Sequence, residues 1–241
     1  MDVETERATG EKARPAGRRR LSGEQRRASL LDAAARVFAR HGFDATRIEE
    51  IGQAAGVSKA LIYEHFPGKR ELYAEVVKNG TDEALGRVAE AAAPGLAGVE
   101  LLEAALGAFL DFVAERPYVW RVITQDVTDP TIVALDESMR RKAVAAIAAL
   151  VSVDPIAREQ LDPSEREQVA EMINGATRAI VNWWLENPTV DRERVASNLM
   201  SFLWLGLERT RSGTLGPARR PYPTTWIETS STGSSAPARW P

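Results

Sequence analysis

Residues 46–72 read TRIEEIGQAAGVSKALIYEHFPGKREL, and this stretch decides the fold. Thr46 followed by Glu49 has the spacing of a capping box, a hydroxyl facing an early helix amide and a carboxylate reaching back, so a helix is predicted to start here. Ile48, Ile51 and Ala55 recur at helical spacing and supply one buried stripe. Gly56 is predicted to end that helix, because glycine enters the left-handed conformation of a helix C-terminus at little cost. Ser58 then caps a second helix, which Val57, Ile62 and Phe66 hold against the first. Its outward residues are Lys59, Ala60, Leu61, Tyr63, Glu64 and His65, an unusual set for a merely solvated face. Two short helices, a tight turn and a second helix of this kind form the plan of a helix-turn-helix reader of double-stranded DNA.

Composition narrows the alternatives. A chain of 241 residues can bury a sizeable core in one or two domains. It has no cysteine, which excludes disulfides, thiolate metal sites and thiol catalysis, and its two histidines, His41 and His65, argue against a histidine metal centre. No metal or other cofactor is expected. The first 20 residues are charged without an apolar run, so they do not read as a secretory signal. No apolar stretch approaches the roughly 18 residues of a membrane span, and a soluble, cytoplasmic protein with no membrane partner is expected. The net charge of −3 hides an asymmetry: residues 1–78 and 211–241 are net basic, while 79–210 are strongly acidic. Phosphate would be drawn to the N-terminal part and repelled by the body.

Working outward, residues 1–21 are polar and finish on Arg18-Arg19-Arg20, and are expected to form a disordered basic arm. That arm is either a solvated tail or a contact to phosphates and the minor groove. A first helix is predicted from Ser22 to His41, with Gly42 as its stop. Pro67-Gly68 precedes a fourth helix from about Lys69, which Pro94-Gly95 must end. Beyond it a strong amphipathic helix carries Leu101, Leu102, Leu106, Phe109, Leu110 and Val113 up to Pro117. Further helices are predicted from Tyr118 to Gln125, Thr131 to Val151, Ser164 to Glu186 and Asp191 to Arg211, with a polar connection over 154–163 that is helical in part. No useful β-alternation occurs, so the chain is predicted to be all-α. The expected domains are an N-terminal three-helix DNA-binding domain over 22–78, with the helix-turn-helix at 47–66, and a larger C-terminal helical ligand-binding and dimerisation domain over 79–211. Pro, Gly, Ser and Thr dominate 212–241, read as a disordered tail.

At this point the first 78 residues resemble the DNA-binding domain of the TetR family of bacterial transcriptional regulators. The resemblance rests on Leu31-Asp32-Ala33-Ala34 and Phe38, then Gly42-Phe43, Thr46, Ile51, Ala55-Gly56-Val57-Ser58, Tyr63, His65-Phe66, Lys69 and Leu72, all in register. It implies that the helix from Ser58 to His65 enters the major groove. It also implies phosphate contacts at Thr46, Tyr63, His65 and Lys69 and base-edge contacts at Lys59, Ala60 and Leu61; Arg47 and Ser58 join this DNA-facing set. Two positions depart from the family pattern: Gly52 stands where alanine is usual, and Leu61 where a small or hydroxylated residue is common.

Elementary chemistry agrees with these roles. Lys59 can reach guanine O6 or N7, whereas Leu61 offers only apolar contact, most naturally to a thymine methyl. Tyr63 can donate to phosphate, and Lys69 with the helix-start amides after Gly68 would make an anion site. Two readings stand open for Leu61, base contact or partly buried packing, and two for His65, DNA contact or packing on Phe66. Glu64 either accepts from a cytosine amino group or lies outside the contact.

A single helix-turn-helix makes few contacts, so a homodimer on two half-sites of an operator is expected. The last two helices are its candidate seam, through Gly175, Ala179, Leu199, Phe202, Leu203 and Gly206; the alternative is that these faces fill an intrachain core. Phe109, Phe112, Tyr118, Trp120, Met139 and Trp183 are candidate walls of a pocket for a small, mostly apolar effector, or else plain core. Arg121, Gln125, Arg140, Arg178 and Asn182 are among the few polar groups able to orient such a ligand. The resemblance implies induction, in which ligand changes the spacing of the two reading helices and relieves repression. A DNA-bound scaffold or activator with a protein partner and no small inducer is the competing function. An enzyme is disfavoured: away from the DNA motif there is no nucleophile–histidine pair, no glycine-rich phosphate loop and no metal-ligand spacing.

Overall fold

The structure is a computed structural model and describes residues 22–211; the basic arm expected over 1–21 and the tail over 212–241 lie outside the described residues. Ten helices and no strand are found among the described residues. α1 (Gly23–Ala45) begins at a true capping box, in which the Ser22 hydroxyl accepts from the Gln25 amide and the Gln25 side chain accepts from the Ser22 amide. The helical path breaks at Gly42, whose φ of 80° marks the expected stop, and one further turn carries the chain to Ala45. α2 (Ile48–Ala55), α3 (Lys59–His65) and α4 (Lys69–Ala91) follow.

The capping box expected at Thr46 and Glu49 is corrected by one register. Thr46 is only 2% exposed, and its hydroxyl donates to the Gly42 carbonyl at 2.6 Å, a group that the break in α1 turns inward. The backward bond that stabilises the α2 N-terminus is made instead by Glu50, whose carboxylate accepts from the Arg47 amide at 3.0 Å. Four helices interlock here because their apolar stripes meet. Leu30 and Phe38 of α1, Ile51 of α2, Ile62 of α3 and Leu72 and Tyr73 of α4 are all fully buried in one cluster. Tyr73 stands edge-on to Phe38 at 5.0 Å and to Phe43 at 5.1 Å.

The rest of the chain forms α5 (Gly98–Glu115), α6 (Pro117–Ile123), α7 (Pro130–Val151), α8 (Pro155–Gln160), α9 (Pro163–Glu186) and α10 (Arg192–Arg211). The prolines that punctuate the sequence start these helices as often as they separate them. Pro130, Pro155 and Pro163 each occupy a first helical position, where the missing amide is no loss, and each follows an aspartate whose carboxylate accepts from amides of the first turn. α8 is the helical part of the connection over 154–163.

α4 runs without interruption through residue 78 and so leads from the helix-turn-helix half into the body, where it packs on α5 and α7. α6 lies against both α1 and α4. The buried Tyr73 hydroxyl donates to the Val122 carbonyl at 3.0 Å, Arg70 of α4 reaches the Asp129 carboxylate at 2.7 Å, and the Trp120 indole donates to Asn182 of α9 at 2.8 Å. No helix among the described residues is long and apolar enough to cross a membrane.

Candidate nucleic-acid interface and interior cavity

The turn between α2 and α3 is built by two glycines. Gly56 adopts φ 67° and ψ 33°, the left-handed conformation that closes a helix, and the Val57 amide returns to the Gly52 carbonyl at 2.9 Å. A Cβ placed on Gly52 would lie 2.9 Å from the Val57 carbonyl oxygen, closer than real Cβ contacts come. The glycine that departs from the family pattern therefore allows the two helices to approach. Ser58 caps α3 by accepting from the Leu61 amide at 3.2 Å. Ile62 and Phe66 anchor α3 in the core, and the Arg27 guanidinium lies 4.7 Å over the Phe66 ring while pairing with Glu75 at 3.2 Å.

With its inner side anchored, α3 presents Lys59, Ala60, Tyr63 and Glu64 to solvent, with Tyr63 44% exposed. Leu61 and His65 are half-buried, and His65 sits 6.4 Å from the Phe66 ring. Arg47 and Ser58 are exposed on the same reader, while Thr46 is buried and turned to Gly42. Lys59 is engaged: its ammonium contacts the Glu49 carboxylate at 2.6 Å and lies 5.7 Å from the Tyr63 ring. Hydrogen bonding to Lys59 lowers the Glu49 pKa, and the same bond raises that of Lys59.

Lys69 is placed differently from a free phosphate donor. Its ammonium donates to the carbonyls of Phe43, Asp44 and Thr46 at 2.7, 3.1 and 3.0 Å and sits 4.6 Å over the Phe43 ring. All three of its protons are thereby used to hold the segment between α1 and α2. Sequence spacing could not show this, because the carbonyls lie more than 20 residues upstream.

The body holds a partly open cavity of about 460 Å³ walled by α4, α5, α6, α7 and α9 together with Ala157 of α8 and Trp204 and Leu207 of α10. Of the candidate pocket residues, Phe109, Trp120 and Met139 line it. The other three candidates do not. Phe112 is fully buried in the core beside Val181 and Val195, near the Arg87 guanidinium, rather than at the cavity. Tyr118 and Trp183 are 45% and 47% exposed; in α9 the inward positions are Thr177 and Val181, and Trp183 falls on the opposite side. Residues not foreseen include Leu85, Leu102 and Ala143, along with Thr81, Asp136 and Thr177. A lone threonine at helical spacing from Val77, Ala84 and Val88 was the legible signal for Thr81. Of the anticipated polar groups, Arg140 and Arg178 reach the wall, while Asn182 is taken by Trp120 and Thr124. Burial raises the Asp136 pKa, an effect that the charge of Arg178 opposes.

The candidate dimer residues divide. Gly175, Ala179, Phe202 and Gly206 are exposed, with Phe202 at 70%. Leu199 and Leu203 are corrected: both are buried within the chain against Leu106, Val169 and Ile173. The outer face is completed by Met172, Trp183 and Leu205. Among the described residues no cluster of His, Asp or Glu could hold a metal.

A helix-turn-helix with an exposed second helix, joined by a continuous helix to a hollow helical body, defines a DNA-binding regulator. Comparison with known proteins agrees. The description "Bacterial regulatory proteins, tetR family" matches residues 30–76, and "Tetracyclin repressor-like, C-terminal domain" matches 99–206. The chain is 32% identical over 205 residues to the HTH-type transcriptional activator FasR of Mycolicibacterium smegmatis, covering 82% of this chain and 91% of that protein. It is 38% identical over 79 residues to the HTH-type transcriptional repressor KstR2 of Rhodococcus jostii, covering 33% of this chain and 39% of that one. Among solved structures, a TetR-like transcriptional regulator from Rhodococcus sp. RHA1 superposes with a TM-score of 0.66 at 28% identity, covering 78% of this chain and 99% of that one. The transcriptional regulator FadR from Bacillus subtilis, solved in complex with stearoyl-CoA, superposes with a TM-score of 0.65 at 17% identity, covering 74% and 98%, a likeness of fold alone. The chain belongs to the TetR family of bacterial transcriptional regulators. It is thus a helix-turn-helix DNA-binding regulator of transcription and not an enzyme.

Proposed function

We propose that the chain works as a homodimer on a palindromic operator and releases it when a small, mostly apolar molecule fills the interior cavity, as a ligand-relieved repressor. The observation that carries this reading is the sharing of walls. The cavity is bounded by α4 and α6, and the same two helices are tied to each other and to the reader through Tyr73 and Val122. A ligand that spreads or rotates these helices would change the spacing of two reading heads, provided it binds that arrangement better than the operator-competent one. The apolar lining and the stearoyl-CoA held by FadR both favour an effector with a long aliphatic chain. In this reading residues 22–78 bind DNA, with Arg47, Ser58 and Tyr63 on phosphates and Lys59, Ala60 and Leu61 at base edges. Thr46 and Lys69 hold the geometry that aims them, and His65 supports α3 from beside Phe66. Residues 79–211 bind effector and pair the two copies, through an outer face of Met172, Gly175, Ala179, Trp183, Phe202 and Leu205 whose exposed apolar area calls for a partner.

The test is to select bound duplexes from a random pool, then titrate stearoyl-CoA into the complex and follow fluorescence anisotropy. A paired half-site and a loss of operator affinity of about tenfold or more are expected, in the ordinary range of allosteric coupling. Selected sequences without a second half-site would overturn the dimer reading, and unchanged affinity at saturating ligand would overturn relief by an acyl ligand. A second reading, activation of transcription, is favoured by the activator FasR; it predicts that deleting the gene lowers rather than raises expression from the selected site.

A further inference from the structure

The cavity has two unlike ends, and the order of its wall residues shows which is which. α4 and α7 run side by side in the same direction, because Arg70 meets Asp129 where both helices begin and Asp82 meets Lys142 about three turns further on. Along α7 the wall is one face, Asp136, Met139, Ala143, Ala146 and Leu150, which at the rise of an α-helix extends roughly 21 Å. The exposed wall residues are Ala89 in the last turn of α4, Ala149 in the last turn of α7, and Val153 just beyond it. They mark the opening. The other end is closed by Trp120 and Ile123 of α6, both buried. Gly80 of α4 abuts the same Ile123, so at the helical rise this end lies about 13 Å from Ala89.

Between the two ends the wall is made of small residues. Ala84 of α4 and Ala143 of α7 stand at about the same height, counted from the Asp82–Lys142 pair, with Ala146 nearer the opening. A larger side chain at Ala143 would project into the path from the opening to α6. The wall is also almost wholly apolar. Arg140 is spent on Glu137 and Glu171, the Thr81 and Thr177 hydroxyl oxygens are buried out of reach of the space, and Asp136 and Arg178 oppose each other's charge. A polar head carried to the α6 end would lose its water without gaining a partner, whereas at the opening it keeps it. We infer that the effector is an aliphatic chain inserted methyl end first between the C-terminal ends of α4 and α7. Ala143 is then the specificity-determining position, the one that admits chains long enough to reach Trp120 and Ile123. The inference rests on the cavity being the effector site.

Calorimetric titration of the full chain with octanoyl-, hexadecanoyl- and stearoyl-CoA tests it, beside hexadecanoyl-CoA bearing a hydroxyl on its terminal carbon. Stearoyl-CoA is expected to bind at least about tenfold tighter than octanoyl-CoA, since each further buried methylene is worth up to about fourfold. The terminal hydroxyl should weaken hexadecanoyl-CoA by about tenfold or more, because it would be buried at an apolar end. In Ala143→Phe the stearoyl-CoA affinity should fall by about tenfold or more. Octanoyl-CoA, which need not pass that position, should stay within about threefold and so show that the variant is folded. Equal affinities for the short and long chains overturn the inference, as does a terminal hydroxyl bound without loss, or an Ala143→Phe protein that binds every chain as the parent does. Should that variant not fold, the two comparisons made on the parent still decide. Binding of none of the chains overturns the inference together with the acyl reading of the effector. Length-dependent binding that leaves operator affinity unchanged supports the inference and overturns relief of repression alone.

Discussion

The reading half and the body are made of similar amphipathic helices, yet they use their interiors in opposite ways. Around α1 to α3 and the start of α4, Leu30, Phe38, Ile51, Ile62 and Leu72 are fully buried against Tyr73. The body instead closes its helices around about 460 Å³ of space. A reader must hold an exposed helix in one orientation, and close packing resists deformation. Under the function proposed above, the body admits a molecule and changes shape, and it forgoes some packing in the region that yields. The same amphipathic pattern thus serves rigidity in one half and capacity in the other.

The largest expected contrast is between two leucine deletions. Leu72→Ala in the reader should lower stability by about 2–5 kcal/mol, as for other fully buried leucines. Leu102→Ala, at the wall of an existing cavity, removes fewer contacts and should cost less than half as much. Urea denaturation of both variants decides it, and equal losses would remove the distinction between the two interiors. Gly52→Ala comes next. Its Cβ would collide with the Val57 carbonyl, and overpacking of this kind costs about 1–3 kcal/mol. A variant as stable as the parent, with unchanged DNA affinity, would show that the turn is looser than it looks.

Lys69→Met keeps the side-chain stem over Phe43 but removes three donors from backbone carbonyls. A stability loss of about 1–3 kcal/mol is expected by calorimetry; a variant that melts like the parent but loses DNA affinity would return Lys69 to the phosphate role. The smallest effect concerns Glu49, which shares the Lys59 ammonium on an exposed surface. Glu49→Gln frees that charge and should strengthen binding to unrelated duplexes by a few-fold at low salt, with a steeper salt dependence. Binding that weakens instead would mean that Glu49 itself contributes to the contact.

Much of this architecture was readable before any coordinates. Ser22, Gly56 and Ser58 act where their chemistry places them, since caps and left-handed turns depend on a few adjacent residues. The aspartate–proline pairs at 129, 154 and 162 open helices through contacts within one turn, whereas the sequence reading began helices at Thr131 and Ser164 and left 154–163 a polar connection helical in part. The Thr46 reading failed because a nearer claim on its hydroxyl, the Gly42 carbonyl, comes from a bend that spacing does not reveal. Phe112, Tyr118 and Trp183 failed for another reason. Aromatic character marks a residue that wants burial or a partner, but which neighbour its side of the helix meets depends on how whole helices are rotated in the assembly.

From the residues alone came the all-helical class, the reader with Lys59, Ala60, Tyr63 and Glu64 outward, the likeness to the TetR family, and the asymmetry between a basic N-terminal part and an acidic body. The helical class, the reader and the asymmetry are written in periodicity, capping and charge, which act over a turn or two or sum along the chain, while the likeness rests on residues that match the family in register. Packing assigned the rest. It committed Lys69 to carbonyls 23 to 26 residues away, set Lys59 against Glu49, and turned Leu199 and Leu203 inward while leaving Phe202 outside. It also brought residues of α4, α5, α6, α7 and α9 together around one cavity. Such juxtapositions join residues remote in the chain, so no local pattern encodes them; they exist only once the helices have chosen their mutual rotation.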